Sequence, residues 1–218
     1  MLKTRTESTW IDKIDYSIKS QFIEMFGEII DSKERECTFE DICNNMIGLT
    51  YNPGNVSDEG TIVLRSGNIK DGELQIESDV VRVCNVKIKD EKYVRDNDIL
   101  MCSRNGSARL VGKTCIIHEP KEEMTFGAFM TIIRTKFPYI LNTFMNMDYF
   151  RNQLTSTQTA SVNQITTKML NSYKMFKPTE EEENKFADFV QQIDKSKLIL
   201  FVTVRLECFM VNFTKNEF

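Results

Sequence analysis

The stretch RNGSARLVGKT, residues 104–114, ends in a Gly-Lys-Thr that is typical of loops binding nucleotide phosphates. Such loops place four residues between the first glycine and the Gly-Lys pair, because that arc of backbone N–H groups must close around the phosphates. Here Gly106 and Gly112 enclose five residues. The β-branched run that follows Thr114 also favours a strand, whereas a phosphate loop opens into a helix. The phosphate-binding interpretation is therefore weak.

A β-hairpin explains the same residues better. DILMCS is an apolar strand, Asn105-Gly106 is a turn signal, and LVGKTCII is the returning strand. Hairpin geometry does not explain why Arg104, Arg109 and Lys113 gather around the turn. From residue 61 to 121 the chain has eleven Lys/Arg and nine Asp/Glu, although its formal net charge is -4. A small local excess of this kind is also typical of an ordinary solvated surface.

Patterns for catalysis are weak or missing. Asp98 followed by Glu119-Pro120-Lys121 resembles the core of a magnesium nuclease, but Pro120 interrupts the strand that such a core needs. A methyltransferase would need a glycine-rich cofactor loop and an Asn/Asp-Pro-Pro-aromatic motif, and the sequence has neither. His118 is the single histidine, and no G-x-S-x-G motif accompanies it. We therefore expect no catalysis by this chain alone, no bound metal and no cofactor.

The composition is that of an ordinary soluble protein. A chain of 218 residues, 41% hydrophobic and 28% charged, is long enough for one large domain with a real core. Six cysteines without a CxxC pair, and no signal peptide, predict free thiols in a cytoplasmic protein. The most apolar stretch, residues 197–211, is interrupted by Arg205 and Glu207 and is too short to span a bilayer. No membrane association is expected.

The spacing of apolar residues predicts a helix at each end of a mixed domain. The first helix ends at Gly27, and the second is capped by Thr179 with four glutamates in its first turn. Between them we expect a short helix at 38–46, strands at 61–68, 71–76, 80–88 and in the hairpin, a helix at 138–154, a polar loop, and a strand at 172–176. The stripes of the two end helices are Ile11, Ile14, Ile18, Phe22 and Met25, and Phe186, Phe189, Val190 and Ile193.

Six stretches, in this order, resemble one half of the specificity subunit of a type I restriction-modification enzyme. They are SQFIEMFGEI (20–29), VLRSGNIKDGEL (63–74), YVRDNDILMCSRNGSARLVGKTCII (93–117), FPYILNTFMNMDYFRNQL (137–154), QTASVNQITTKML (158–170) and KPTEEEENKFADFVQQIDKSK (177–197). No one stretch is as specific as a metal-ligand motif. Their joint order over most of residues 10–197 carries the resemblance.

The resemblance implies an α+β fold in which a globular target-recognition domain with a twisted β-sheet and helices is flanked by long helices. Those helices would pair as an antiparallel coiled-coil-like element. The implied division is a conserved-region helix at 1–30, a DNA target-recognition domain at 31–176, and a second conserved-region helix with an atypical apolar tail at 177–218. Specificity subunits usually carry two recognition domains, each reading half of a split DNA site. One domain here implies either pairing of two half-subunits, as a homodimer or with another half-subunit, or a fragment.

The implied partners are double-stranded DNA, methyltransferase subunits and, through them, the restriction subunit. Cations contact phosphates, arginine pairs with guanine edges, and asparagine pairs with adenine edges. The expected DNA-binding residues are Arg65, Asn68, Lys70, Arg82, Lys87, Lys89, Lys92, Arg104, Asn105, Arg109 and Lys113. The expected helix-interface residues, which would pair within the chain or across a dimer, are Ile14, Ile18, Phe22, Phe186, Phe189 and Ile193.

Two features depart from the family pattern. Thr179 and Glu183 stand where the family has a second proline and a glutamine, and the tail after Lys197 is apolar where the family continues with a polar, heptad-like helix. Two other functions stay open: a stand-alone magnesium nuclease, and a scaffold whose helices bind a protein partner without DNA.

Overall fold

A computed structural model describes residues 5–77, 80–157 and 163–215. They form a mixed fold of helices and short strands, so the α+β class is confirmed. The helices of the described residues are α1 Arg5–Phe26, α2 Phe39–Ile42, α3 Pro138–Met145, α4 Asp148–Thr157, α5 Thr167–Ser172 and α6 Glu180–Lys215. The strands are β1 Glu36–Thr38, β2 Cys43–Ile47, β3 Val56–Ser57, β4 Thr61–Leu64, β5 Ile69–Lys70, β6 Glu73–Leu74, β7 Arg82–Val83, β8 Ile99–Cys102, β9 Thr114–Ile116, β10 Met124–Phe126, β11 Met130–Thr135 and β12 Lys174–Phe176.

The strands divide into two four-stranded sheets and two small ribbons, where the sequence predicted one twisted sheet. The first sheet has the order β10-β4-β7-β3, and the second has the order β2-β11-β8-β9. The ribbons are β1-β12 and β5-β6. All these pairs are antiparallel except β10 with β4, where Met124 lies opposite Ile62 and Phe126 opposite Leu64. Because β4 and β10 run in the same direction, the loops that follow them leave the sheet at the same edge.

An aromatic cluster joins both long helices to the domain. Phe22 and Phe26 near the end of α1, Phe176 of β12 and Phe186 of α6 are almost completely buried. The ring centroids of Phe22 and Phe186 are 5.6 Å apart, and those of Phe26 and Phe176 are 5.0 Å apart. Aromatic pairs at such distances stabilise a fold beyond the area that they bury. The base of each helix is thus part of the domain core.

The start of α6 matches the sequence prediction. The Thr179 hydroxyl accepts a hydrogen bond from the Glu182 backbone N–H at 3.2 Å, and the Glu182 carboxylate accepts one from the Thr179 N–H at 2.8 Å. This reciprocal capping box satisfies N–H groups that have no partner inside the helix. Glu182 also pairs with the Arg35 guanidinium, at 2.6 and 2.8 Å, which lowers the pKa of that carboxyl.

Glu183 fastens α6 to α3. Its side chain is buried, and its two oxygens accept hydrogen bonds from the backbone N–H groups of Tyr139 and Ile140, at 2.8 and 3.1 Å. Those N–H groups lie in the first turn of α3, where helical partners are missing. Burial raises the pKa of the Glu183 carboxyl to about 7, although the two backbone hydrogen bonds oppose that rise.

The apolar tail continues the last helix. α6 runs for 36 residues to Lys215, so its axis is about 54 Å long at ~1.5 Å per residue. β-branched residues lower helix propensity only slightly, and they do not end a helix as proline does. No helix of the described residues is long and apolar enough to cross a bilayer.

Several local predictions need correction: β7 covers only Arg82–Val83 of the strand expected at 80–88, and the polar loop expected after residue 154 contains α5. The short helix at 38–46 ends at Ile42, because Cys43–Ile47 instead pair with β11 as an edge strand. The helix at 138–154 is divided into α3 and α4 at residues 146–147. In the hairpin, β8 and β9 do pair, but residues 103–113 connect them with a longer loop and no tight Asn-Gly turn. The glycine that this connection requires is Gly112, which has a φ of +80°.

Replacing Glu183 by Gln is expected to remove a pH dependence of stability. The folded pKa, about 7, lies above the ordinary glutamate value of 4.5, so this group's contribution to stability is fully present below about pH 4.5 and is lost as pH rises through about 7. We expect the free energy of unfolding of the wild type to fall by about 3 kcal/mol over that window. In Glu183→Gln this slope should be absent. Urea unfolding at a series of pH values measures it.

The matched control is Glu181→Gln, which removes the same charge from an exposed position on the same helix turn. It should leave the slope unchanged. A Glu183→Gln protein that keeps the wild-type slope would show that another group titrates.

Candidate nucleic-acid interface

Four loops meet at one edge of the domain, which we call the loop edge: residues 65–68, 103–107, 127–129 and 163–164. The first follows β4, the second follows β8, and the third connects β10 to β11. The parallel pairing of β4 with β10 places Leu64 beside Phe126, and the pairing of β8 with β11 places Cys102 beside Met130. Strand register therefore brings together loops that are far apart in sequence.

Hydrogen bonds fix these loops to one another. The Asn105 side-chain amide donates to the Ser66 hydroxyl at 3.1 Å, and the Gly127 N–H donates to the Leu64 carbonyl at 2.9 Å. The fourth loop is held by the Ile165 N–H, which donates to the Ser103 carbonyl at 2.7 Å, and by the Asn163 amide, which donates to the Gly106 carbonyl at 3.1 Å. The loop edge is consequently a preformed surface.

Phe129 is the most exposed large aromatic side chain of this edge, with 57% of its surface accessible. Its carbonyl accepts hydrogen bonds from the Ser103 N–H, the Ser103 hydroxyl and the Arg104 N–H, at 3.0, 3.0 and 3.1 Å. The Arg104 guanidinium carbon lies over the ring, 5.2 Å from its centroid. Sequence reasoning missed Phe129, because a lone phenylalanine in an apolar stretch is usually buried.

The charge of this region is positive. The segments 65–70 and 103–113 include the first two loops and contain no Asp or Glu, and residues 127–129 and 163–164 add none. The cations of these segments are Arg65, Lys70, Arg104, Arg109 and Lys113. A cationic surface on a chain with a net charge of -4 concentrates attraction for a polyanion at one place.

The structure brings only part of the expected DNA-binding set to exposed positions here. Arg65, Arg104 and Arg109 are exposed. Asn105 is half-buried and bridges two loops, and it also accepts a hydrogen bond from the Ser107 N–H at 2.9 Å. Its amide is thus engaged within the protein.

The lysines of these segments also have contacts inside the protein. Lys70 is half-buried in the β5-β6 ribbon, opposite Glu73. The Lys113 ammonium donates a hydrogen bond to the Ile69 carbonyl, which ties the hairpin connection to β5.

Asn68 is a structural residue, contrary to its expected role at a base edge. Its side chain is 1% exposed. The side-chain oxygen accepts from the Arg65 N–H at 2.8 Å, and the amide donates to the Gln75 carbonyl at 3.1 Å. A buried side chain whose donor and acceptor serve the protein backbone has no free edge for a base.

Four other candidates lie outside the four loops, and one of them, Lys92, bonds to Gly48, which lies directly against Gly127 of the loop edge. Arg82 donates to the Gly60 carbonyl at 3.1 Å and pairs with Glu122 at 2.8 Å, so it sits at the opposite ends of β4 and β10. Lys92 donates to the Gly48 carbonyl at 3.2 Å. Lys87 and Lys89 are exposed in the segment after β7.

The residues of the nuclease-like pattern do not form a metal-binding site in the structure. Asp98 is 1% exposed, and both its oxygens accept hydrogen bonds from Arg134, at 2.7 Å each. A carboxylate neutralised in this way is a buried structural pair and is not open to a cation. Across the described residues, His, Cys, Asp and Glu side chains form no group of three or more that could hold a metal ion.

The expected helix-interface residues lie near the junction of α1 and α6. Phe22 and Phe186 are buried and contact each other within the chain. Ile14, Ile18, Phe189 and Ile193 are half-buried. Tyr16 and Ile23, which are one heptad apart on α1, are 74% and 42% exposed and were not among the expected residues.

Comparison with known proteins agrees with this architecture. No protein-family model matches the chain. The EcoKI type I restriction enzyme specificity subunit of Escherichia coli strain K12 is 28% identical over 114 residues, which are 50% of this chain and 24% of that protein.

Solved structures of type I systems share the fold. A chain from a study of complex assembly and conformational transition of the type I restriction-modification system has a TM-score of 0.62 and 14% identity over 96% of this chain and 51% of its own. The HsdS subunit of Thermoanaerobacter tengcongensis has a TM-score of 0.56 and 14% identity over 90% of this chain and 47% of its own. The type I S subunit of M. genitalium has a TM-score of 0.55 and 13% identity over 88% and 50%.

The resemblance inferred from the sequence motifs is thus confirmed. The chain spans about half the length of these solved structures and about a quarter of the curated relative.

Replacing Asn68 by Ala is expected to lower stability. The change leaves the Arg65 N–H and the Gln75 carbonyl without their partner in a buried turn, which should lower the free energy of unfolding by about 2 kcal/mol. Chemical denaturation measures it. The neighbouring control Arg65→Ala, at an exposed position, should change stability by less than about 0.5 kcal/mol. Equal stability of Asn68→Ala and the wild type would restore Asn68 as a candidate base contact.

Proposed function

We propose that this chain is a non-catalytic DNA-recognition unit of a type I restriction-modification system, reading one half of a split target. The observation that carries the proposal is the loop edge, whose neighbouring segments hold five Lys/Arg and no Asp or Glu on an otherwise acidic chain. The curated relative is named as a specificity subunit, and the solved relatives are subunits of the same kind of system. We transfer their role to this chain on the shared fold and on that charge pattern.

The proposed division of labour follows from the exposed residues. Exposed arginines attract the phosphates, which supplies affinity that depends on salt but not on sequence. Specificity needs side chains at base edges in the groove, and guanidinium groups pair with guanine in two hydrogen bonds. Arg65, Arg104 and Arg109 have the exposure for either task. The cleavage and methylation chemistry would then belong to partner subunits.

The partners are proposed as methyltransferase subunits, with the restriction subunit recruited through them, and a second recognition unit. The half-length coverage of the solved relatives favours a second unit, either another copy of this chain or a different half. The exposed Tyr16 and Ile23 on α1 give such a partner an apolar surface. A cytoplasmic location and a coiled-coil-like pairing of the helices stay predictions.

A DNA-free scaffold is the alternative. It would use the same helices, but it gives no reason for the exposed Arg65, Arg104 and Arg109, which lie at or beside the loop edge in segments without Asp or Glu. Binding to a pool of random duplexes at moderate salt separates the two functions, since a scaffold would bind its partner proteins and enrich no DNA sequence.

Replacing Arg104 and Arg109 together by Ala is expected to weaken DNA binding while leaving the fold intact, because both side chains are exposed. If both contact phosphates, the slope of log affinity against log salt should fall by about 2, since each phosphate contact contributes roughly 0.9. Titration of a labelled duplex at several salt concentrations measures the slope.

The control is Lys136→Ala with Lys174→Ala, which removes two exposed cations that pair with Glu180 and Glu36 away from the loop edge. Both double variants make the net charge more negative by the same amount. A similar loss in both would mean that the arginines act only through net charge.

Replacing Tyr16 and Ile23 together by Asp is expected to abolish self-association or methyltransferase binding. Both side chains are exposed on α1, so the change should remove an apolar surface without opening the core. Sedimentation of the chain alone and with a methyltransferase subunit measures the effect. Ile47→Asp with Val56→Asp, at two exposed apolar positions of the domain, is the matched control. A wild-type chain that stays monomeric and binds no methyltransferase subunit would refute the partner proposal.

A further inference from the structure

Phe129 is unusual among the exposed apolar residues because its backbone is fixed and its surroundings are cationic. A single exposed apolar side chain is ordinary on a protein surface. Here three hydrogen bonds converge on the Phe129 carbonyl, from two groups of Ser103 and from the Arg104 N–H. The next residue, Met130, is 1% exposed and anchors the start of β11 in the core. The ring is held out from the domain by a rigid support.

Arg104 is prepared for binding by the same arrangement. Its N–H is bonded to the Phe129 carbonyl at 3.1 Å, and its guanidinium carbon lies 5.2 Å from the centroid of that ring. Among the described residues no carboxylate forms an ion pair with Arg104. The cation–π contact restricts the side chain but leaves the hydrogen-bonding edge of the guanidinium available, so less entropy is lost on binding.

We infer that Phe129 and Arg104 form one specificity-determining pair, in which the Phe129 ring contacts the methyl group of a thymine and Arg104 pairs with the adjacent guanine in the major groove. This inference rests on the proposed DNA-recognition function. Apolar contact with the thymine methyl and paired hydrogen bonds from arginine to guanine O6 and N7 are the natural matches for these side chains. Base pairs follow each other at ~3.4 Å, and the two groups are 5.2 Å apart, which is less than two such steps, so both can reach neighbouring base pairs.

Insertion of Phe129 between stacked bases is disfavoured by the same geometry. A phenylalanine that inserts fully between two stacked bases places both faces of its ring against them. Arg104 already lies over the Phe129 ring, so stacking would require the guanidinium to leave. Contact through the open side of the ring leaves the pair intact. This difference separates a reader of methyl groups from a wedge that bends DNA.

The test uses the whole chain and a duplex selected from a random pool. Each thymine of the enriched sequence is replaced in turn by uracil, which removes only the methyl group, and each guanine by 7-deazaguanine, which removes only the N7 acceptor. Affinities are measured for the wild type, Phe129→Ala, Phe129→Leu and Arg104→Ala. Val56→Ala, at another exposed apolar position, is the control for loss of exposed apolar surface.

One uracil position is expected to weaken wild-type binding about fourfold, the effect of one methyl group in an apolar contact. The same uracil should not change the affinity of Phe129→Ala, and it should weaken the binding of Phe129→Leu by part of the wild-type effect. An adjacent 7-deazaguanine should lower the affinity of the wild type about tenfold and should leave the affinity of Arg104→Ala unchanged. Val56→Ala should behave as the wild type at every position.

Uracil penalties that are equal in the wild type and in Phe129→Ala would overturn the inference and leave the proposed function standing. So would a uracil-sensitive position that has no guanine neighbour sensitive to Arg104→Ala. Failure of the wild type to enrich any DNA sequence would overturn the proposed function itself, and that outcome is visible before any variant is made.

Discussion

The parallel pairing of β4 with β10 is the constraint on which the rest of the domain depends. Two parallel strands cannot be joined by a tight turn, so the chain between Leu64 and Met124 must leave the sheet and return. The chain between them adds β7 to the same sheet on the other side of β4, and it also forms the β5-β6 ribbon and the hairpin of β8 and β9 with its long connection. Because β4 and β10 end at the same edge, the loops that follow them are neighbours although about sixty residues separate them. A cationic edge is assembled from segments that are individually unremarkable.

Most of the polar side chains that looked capable of binding a ligand or of catalysis make hydrogen bonds that stabilise this arrangement. Asn68 closes the turn after β4, Asn105 connects two loops, and Asp98 is neutralised by Arg134 inside the domain. Burying an amide or a carboxylate is unfavourable unless its hydrogen bonds are satisfied, and each of these groups has its partners. Residue type alone does not distinguish a side chain that reads a ligand from one that satisfies a backbone. Burial and the direction of the hydrogen bonds do.

The features that the sequence could predict are those set by neighbouring residues along the chain. Helix starts are local: the Thr179 cap and the glutamates after it act within one turn, and both were predictable. The apolar strands of the hairpin were also predictable, because their pattern is continuous. The end of α2 at Ile42 was not, since Cys43–Ile47 are drawn into a strand by β11, some ninety residues later in the chain. The exposure of Phe129 was not predicted either, because a lone phenylalanine in an apolar stretch is usually buried.

The helices are connected to the loop edge through the aromatic core. Phe22 and Phe26 of α1 and Phe186 of α6 pack with Phe176 of the β1-β12 ribbon, and Glu183 fastens the first turn of α6 to α3. Asn146 of α3's C-terminal end in turn donates to the Thr114 hydroxyl of β9, the strand that closes the hairpin. A partner seated on the helices would therefore be held at a fixed orientation to whatever the loop edge binds. If the chain reads half of a split site, as proposed, a fixed connection between the helices and the loop edge would define the spacing of two recognition units, because a flexible joint would let them accept many separations.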